Sequence, residues 1–201
     1  MAHAERFGPG PLRLDTRAGS VEVVTTRADD GALTATLTSV PPRVAPLPAD
    51  LLAALLTALD WPANDLDPRL PPRLAFAGAW HPIIAAATRE RLARLHYDVD
   101  ALGGLMAEQG WTTVDLVWRR SGDEFDARNP FPPGGLYEDP ATGAAAAAFG
   151  GYLRELGLIR APGRFTVRQG DDLGRPGLLT VGVPADPDAG ITVTGTAVSL
   201  D

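Results

Sequence analysis

The stretch Ala127–Leu153, ARNPFPPGGLYEDPATGAAAAAFGGYL, sets a polar, proline-rich approach directly against a run of alanines. Alanine is the best helix former, so the run predicts a helix beginning near Ala144. A helix start exposes N–H groups that lack intrahelical partners and carry partial positive charge. Two readings of the mouth are open. In one, Thr142 or Asp139 simply caps the helix, as many helices require. In the other the mouth is a site: a carboxylate meets the N–H groups, and Gly143, with no Cβ, lets a ligand oxygen approach closely. The alanines also admit two readings, either propensity alone or small side chains that let a helix lie inside a curved sheet.

Composition narrows the setting. The chain has 201 residues, 45% of them apolar and 21% charged, which fits a globular protein with a sizeable core. A net charge of −7 argues against a nucleic-acid backbone as partner. No run of 18 apolar residues and no signal-peptide pattern is present, so a cytoplasmic protein away from the membrane is expected. Cysteine is absent, which removes disulfides, thiolate nucleophiles and zinc–thiolate or iron–sulfur sites from this chain. The histidines, His3, His81 and His96, show no metal-ligand spacing, so no metal is expected.

Along the chain, SVEVVTTRADDGALTATLTSV (20–40) reads as a hairpin turning at Asp29-Asp30-Gly31. PPRVAPLP (41–48) reads as an extended connector without sheet pairing, because of its prolines. A helix is expected from about Asp50, with Leu51, Leu52, Leu55, Leu56 and Leu59 on one face and Asp60-Trp61-Pro62 as its end. LAFAGAW (74–80) suggests one strand bent at Gly78. Short helices are expected over 88–95 and 100–109, and strands around Thr113–Val117 and Glu124–Arg128. NPFPPGG (129–135) reads as a loop. Three strand-like runs, RFTVRQG, GLLTVGV and GITVTGTAVSL, close the chain. The fold class is α+β, a curved, mostly antiparallel sheet with few helices.

Taken together, the Ala127–Leu153 block resembles the signature of the phenazine-biosynthesis PhzF-like family: an Arg, a Phe/Pro loop, a Gly, then Glu-Asp-Pro-Ala-Thr-Gly before a helix. The likeness continues in Gln169-Gly170, Gly174-Arg175-Pro176 and Val193-Thr194-Gly195, and upstream in DTRAGSVEV, TSVPPRV and AGAWH. Many members have Ser where this chain has Ala144, so one hydroxyl contact is lost while the amide donor stays.

The resemblance implies a diaminopimelate epimerase-like fold: two similar halves, each a curved sheet around a central helix, with the site between them. It implies that residues 1–45 belong to the first half and 46–201 to the second, with the last strand a candidate to cross back. The helix near Ala144 is then the second half's central helix. Thr142, Gly143 and Ala144 are the substrate-binding mouth, Asp139 is the polar residue that contacts substrate or assists proton transfer, and Arg128 and Glu138 brace the loop as an ion pair. The implied chemistry is isomerisation of a small carboxylate without a cofactor, by a carboxyl group whose pKa is raised toward neutrality. No thiol pair is available for a two-thiol mechanism.

The family's acid/base glutamate and its Gly-His-Pro element have no counterpart here. Glu5 lies in the polar start, Glu22 in the hairpin, and His81-Pro82 follows Trp80 rather than Gly. The expectation is therefore a split or truncated enzyme, inactive as this chain alone, that needs an N-terminal half. The alternative is a non-catalytic module that binds small carboxylates or serves as a scaffold. The edge of the segment Leu12–Leu37 is expected to be unpaired, which calls for an N-terminal-half partner chain or a homo-oligomer.

Overall fold

A computed structural model of the chain describes residues 9–27 and 31–197. The expected turn residues Asp29 and Asp30, together with His3 and Glu5, lie outside the described residues. The hairpin itself forms: β2 (Gly19–Arg27) lies antiparallel to β3 (Leu33–Thr38) with Val23 opposite Leu37. A further strand, β1 (Gly10–Thr16), pairs with β2 through a tight turn at Arg17-Ala18.

The proline-rich connector is a strand in part. β4 (Arg43–Pro46) pairs with β5 (Arg73–Phe76) at the far edge of the sheet, a place where missing proline donors are tolerated. Helix α1 (Ala49–Ala58) buries Leu55 and Leu56, with Leu59 just beyond it, as its spacing predicts. The expected bend at Gly78 is a full reversal: with φ of +116° it joins β5 to β6 (Trp80–Ala85) in a hairpin. α2 (Arg89–Ala93) and α3 (Val99–Gln109) start at Thr88 and Asp98, whose side chains accept from Arg91 N–H and Ala101 N–H. β7 (Asp115–Arg119) follows.

The stretch read as a loop is also ordered as sheet. β8 (Glu124–Phe131) runs through Asn129 and Pro130, turns at Pro132–Gly134, and returns as β9 (Leu136–Asp139). Pro130 ends no ladder because β9 pairs with β8 beside the main sheet. The alanine run opens α4 (Gly143–Glu155), and β10 (Gly163–Gln169), β11 (Gly177–Val183) and β12 (Thr192–Ala197) follow as expected, while Val198, Ser199 and Leu200 of the last run lie outside the described residues.

The strands form one sheet in the order β1-β2-β3-β12-β11-β10-β8-β7-β6-β5-β4. Its pairings are antiparallel except β8 with β10 and β6 with β7. Parallel neighbours need a crossover, and these two cross on opposite faces. The β8-to-β10 crossover carries α4, and the β6-to-β7 crossover carries α2 and α3. The shared strands alternate accordingly. Ile83, Ala85 and Val117 face the core around α4, while Ile84 and Leu116 face a second core with Leu55, Leu102 and Met106 from α1 and α3.

The sheet curls around α4, which touches β11 and β12 on one side and β4, β5 and β6 on the other. Every residue from Ala145 to Leu153 is buried. A helix buried all round cannot be amphipathic, so size rather than propensity accounts for the alanines. Gly151 and Gly150 follow the same logic, since a Cβ there would lie 2.4 Å from Pro42 Cβ and 2.9 Å from Ile191 Cγ2. Phe125, Phe149 and Phe165 pack edge-to-face in the core around α4, with centroids 4.9–5.6 Å apart. β12 lies between β11 and β3, so the last strand ties the β1–β3 arm to the curl. No helix among the described residues is long and apolar enough to cross a membrane.

Candidate active site at the mouth of the central helix

The residues that open α4 are held by a hydrogen-bond cluster. Thr142 does not cap the helix through its side chain. Its hydroxyl turns back and donates to Asp139 Oδ2 at 2.7 Å. Asp139, the last residue of β9, is thus bound to the turn through Thr142 and makes no hydrogen bond to the helix N–H groups.

Gln169 completes the cluster from β10. Its Oε1 accepts the Thr142 N–H at 3.0 Å, and its Nε2 donates to the Asp139 carbonyl at 2.7 Å and to Thr142 Oγ1 at 3.0 Å. Only 2% of Gln169 is exposed, so these bonds satisfy a buried amide rather than decorate a surface. Gly170, with φ of +89°, brings the backbone in; a Cβ there would lie 2.2 Å from the Arg175 carbonyl oxygen and 2.9 Å from that of Pro140.

Of the expected binding group, Thr142 therefore has its N–H already committed. Gly143 and Ala144 are the half-exposed residues of the first turn, and among the described residues nothing accepts from their N–H groups. The first return bond of the helix goes from Ala146 N to the Thr142 carbonyl. A Cβ on Gly143 would come within 2.9 Å of Leu37 Cδ2, so glycine here also makes room for that side chain of β3.

Arg128 and Glu138 form the expected ion pair, buried between β8 and β9. Arg128 Nε donates to Glu138 Oε1 at 2.9 Å and Nη2 to Oε2 at 2.5 Å, while Nη1 donates to the Ala93 carbonyl at 2.8 Å. Burial opposes the Arg128 charge, but the bonds and charge of Glu138, aided by Asp172 and Tyr137, outweigh it and raise the guanidinium pKa. The pair fastens the β8–β9 hairpin to the end of α2. The stacked rings of Tyr97 and Tyr137, 4.4 Å apart, add to this, with Tyr97 Oη donating to the Tyr137 carbonyl.

Behind Asp139 runs a buried polar chain that sequence reasoning missed. Asn129, paired with Asp139 across the β8–β9 ladder, donates from Nδ2 to Asp115 Oδ1 at 3.1 Å and accepts from Thr113 Oγ1 at 2.7 Å. Thr113 Oγ1 is 2.9 Å from His81 Nδ1. With the Thr113 proton given to Asn129, His81 Nδ1 carries the proton and Nε2 is left as a buried acceptor without a partner among the described residues. Burial pushes the Asp115 carboxyl up to about 7, against the Asn129 hydrogen bond, and pushes His81 down to about 4. Asp115 gave no signal in sequence because it interrupts a run, TVDLV, that otherwise reads as an apolar strand. Gln169 was visible only as part of a motif, 27 residues after the Thr142 it holds.

The family described as phenazine biosynthesis-like protein, PhzC-PhzF, matches residues 1–201. The chain is 30% identical over 161 residues to the uncharacterized isomerase YddE of Escherichia coli K12, an overlap covering 77% of this chain and 54% of that protein. It thus spans about half the length of that relative. A predicted epimerase from Pseudomonas aeruginosa, 29% identical, superimposes with a TM-score of 0.75 over 96% of this chain and 66% of that one. The Bacillus anthracis PhzF-family protein, 20% identical, gives a TM-score of 0.80 over 100% of this chain and 71% of that one. The fold is the diaminopimelate epimerase-like one, and the chain belongs to the PhzC-PhzF family.

Proposed function

We propose that this chain forms one half of a cofactor-independent isomerase that moves a proton on a small substrate bearing a carboxylate. The observation that carries the reading is the uncapped mouth of α4. Gly143 and Ala144 present N–H groups that have no acceptor among the described residues, and Gln169, Thr142 and Asp139 hold the turn beneath them. Fixed N–H groups at a helix start suit the substrate carboxylate and the negative charge that builds up beside the reacting carbon. In this reading Asp139, tied to Thr142, contacts the substrate or assists the proton transfer, and Arg128 and Glu138 keep its strand in place.

The proton itself is carried by a glutamate from a half of the site outside residues 1–201, whether on a partner chain or on the same polypeptide. Support for a second half comes from the length of the relatives and from the names isomerase and epimerase that they carry. Mixing the chain with the N-terminal half of a PhzC-PhzF protein in deuterium oxide tests the reading. Deuterium should enter the substrate carbon among a panel of small amino and aromatic carboxylates, and no exchange together with no association would refute it.

A second reading is favoured by Ala144, which offers no hydroxyl beside the mouth. In it the chain binds small carboxylates, or serves as a scaffold, without turning them over. Binding of a carboxylate that never exchanges deuterium in the assembled two-half complex would select this reading.

A further inference from the structure

The core around α4 changes character at the end where that helix begins. On β6, β7 and β8 the residues facing α4 include Ala85, Ile83, Val117, Phe125 and Ala127, all apolar. The next positions on the same faces, toward the helix mouth, are His81, Asp115 and Asn129. These three and Thr113 are at most 2% exposed. Burying polar groups is costly unless they are paired, and once paired they fix a single arrangement.

We propose that Asn129 is a positioning residue for Asp139. Clamped by Thr113 and Asp115, it fixes where the Asp139 carboxylate meets Thr142 and the substrate. The inference rests on the reading of Asp139 as a substrate contact and deepens it.

The backbone explains why Asn129 can act on Asp139. Pro130 turns its carbonyl to the β7 side, where it accepts from Val114 N–H at 3.3 Å. Successive residues of a strand turn their N–H and C=O to opposite sides, so Asn129 turns both of its groups away from β7. Its partner on that side is Asp139. Pro130 has no N–H to give, and the ladder loses register between Pro130 and Phe131. Among the described residues β9 pairs with β8 alone. The Asn129–Asp139 pair is therefore the regular end of a short strand, on the side where the chain enters the mouth.

The Asn129 side chain is held at both ends. Oδ1 accepts from Thr113 Oγ1 at 2.7 Å, and Nδ2 donates to Asp115 Oδ1 at 3.1 Å. An amide clamped this way cannot turn or slide without leaving a buried donor or acceptor unpaired. From Asn129 the constraint passes through one ladder pair to Asp139, whose Oδ2 accepts from Thr142 Oγ1 at 2.7 Å. Gln169 grips the same residue from β10 through the Asp139 carbonyl. Among the described residues nothing donates to Asp139 Oδ1, so one carboxylate oxygen is left for substrate.

The test reads the Asp139 side chain directly in ¹³C-labelled protein. Thr142→Val removes the hydroxyl bonded to Asp139 and should displace the Asp139 carboxyl resonance. In a folded Asn129→Leu background, with no amide for Thr113 or Asp115, that displacement should be lost. Thr113→Val removes a single clamp and should reduce it, which keeps the test open if Asn129→Leu does not fold. Thr113→Ser and Asp115→Asn retain the hydroxyl donor and an acceptor, and should preserve it. Circular dichroism checks folding throughout. A clamp that only stabilised the core would lower the unfolding midpoint and leave the response to Thr142→Val at its parent size. That result would overturn the proposal, as would an Asp139 resonance that ignores Thr142→Val in the parent, or Thr113→Ser behaving like Thr113→Val. The mouth is read separately in the same samples. Gly143 and Ala144 signals that ignore every small carboxylate would refute the binding reading, while the Asp139 response still decides whether Asn129 places that residue.

Discussion

Gln169 and Thr142 meet through both ends of the glutamine amide: Oε1 takes the Thr142 N–H at 3.0 Å while Nε2 gives to Thr142 Oγ1 at 3.0 Å. The two residues are far apart in sequence, yet this contact decides which N–H groups the helix start leaves open. Gln169→Glu is nearly isosteric but replaces a double donor by an acceptor facing the Asp139 carbonyl. It should cost about 1–3 kcal/mol in urea unfolding, the range for a buried polar group left unsatisfied. It should also weaken carboxylate binding at the mouth, because it sets a negative charge there.

The ion pair of Arg128 and Glu138 is expected to hold the hairpin, and a cycle of variants separates that role from chemistry. Arg128→Met leaves Glu138 buried without its partner and should cost roughly 3–5 kcal/mol in chemical denaturation. Adding Glu138→Leu should recover a large part of that loss. A double variant no more stable than Arg128→Met would show that the Ala93 contact, not the pairing, dominates.

Gly151 sets helix propensity against packing, with opposite signs. In an open helix Gly→Ala stabilises by about 1 kcal/mol. Here the new Cβ would lie 2.4 Å from Pro42 Cβ in the segment before β4, so Gly151→Ala should destabilise by about 1–3 kcal/mol. A rise in thermal midpoint would contradict the placement of α4 inside the curl.

The buried chain from His81 to Asp115 should appear in the pH dependence of stability. Asp115 has its pKa raised from 3.8 to about 7 by burial. Between those values the native state keeps a proton that the unfolded state has released, so this group's contribution falls as pH rises. His81, lowered from 6.5 to about 4, acts in the opposite sense: its contribution is lost as pH falls through that window. Relative to the parent, Asp115→Asn should thus gain stability as pH rises from about 4 to about 7, by at most about 1.4 kcal/mol per unit. Denaturant titrations at a series of pH values measure this, and a constant difference would show that Asp115 is ionised throughout.

These tests bear on how far the sequence could be read. α1, α2, α3 and the three closing strands were legible because their signals are local: leucine spacing, caps at Thr88 and Asp98, and β-rich runs between turns. β4 and the β8–β9 hairpin were not, because their prolines mark a break unless tertiary pairing places them at an edge or beside the main sheet. At the site, Asp139 and the Thr142–Ala144 mouth stood in one short motif. Which of its N–H groups is open depends on Gln169, and the need for glycine at 143 depends on Leu37, contacts that no local pattern encodes.

The central claim is that Gly143 and Ala144 present their N–H groups to a carboxylate. It is tested most directly by following the ¹H–¹⁵N signals of the chain during titration with small amino and aromatic carboxylates. The account predicts saturable shifts centred on Gly143 and Ala144. These shifts should be abolished in a folded Gly143→Pro variant, since proline fits the first helical position but lacks the donor. Shifts confined to other surfaces, or undiminished binding by that variant, would contradict it.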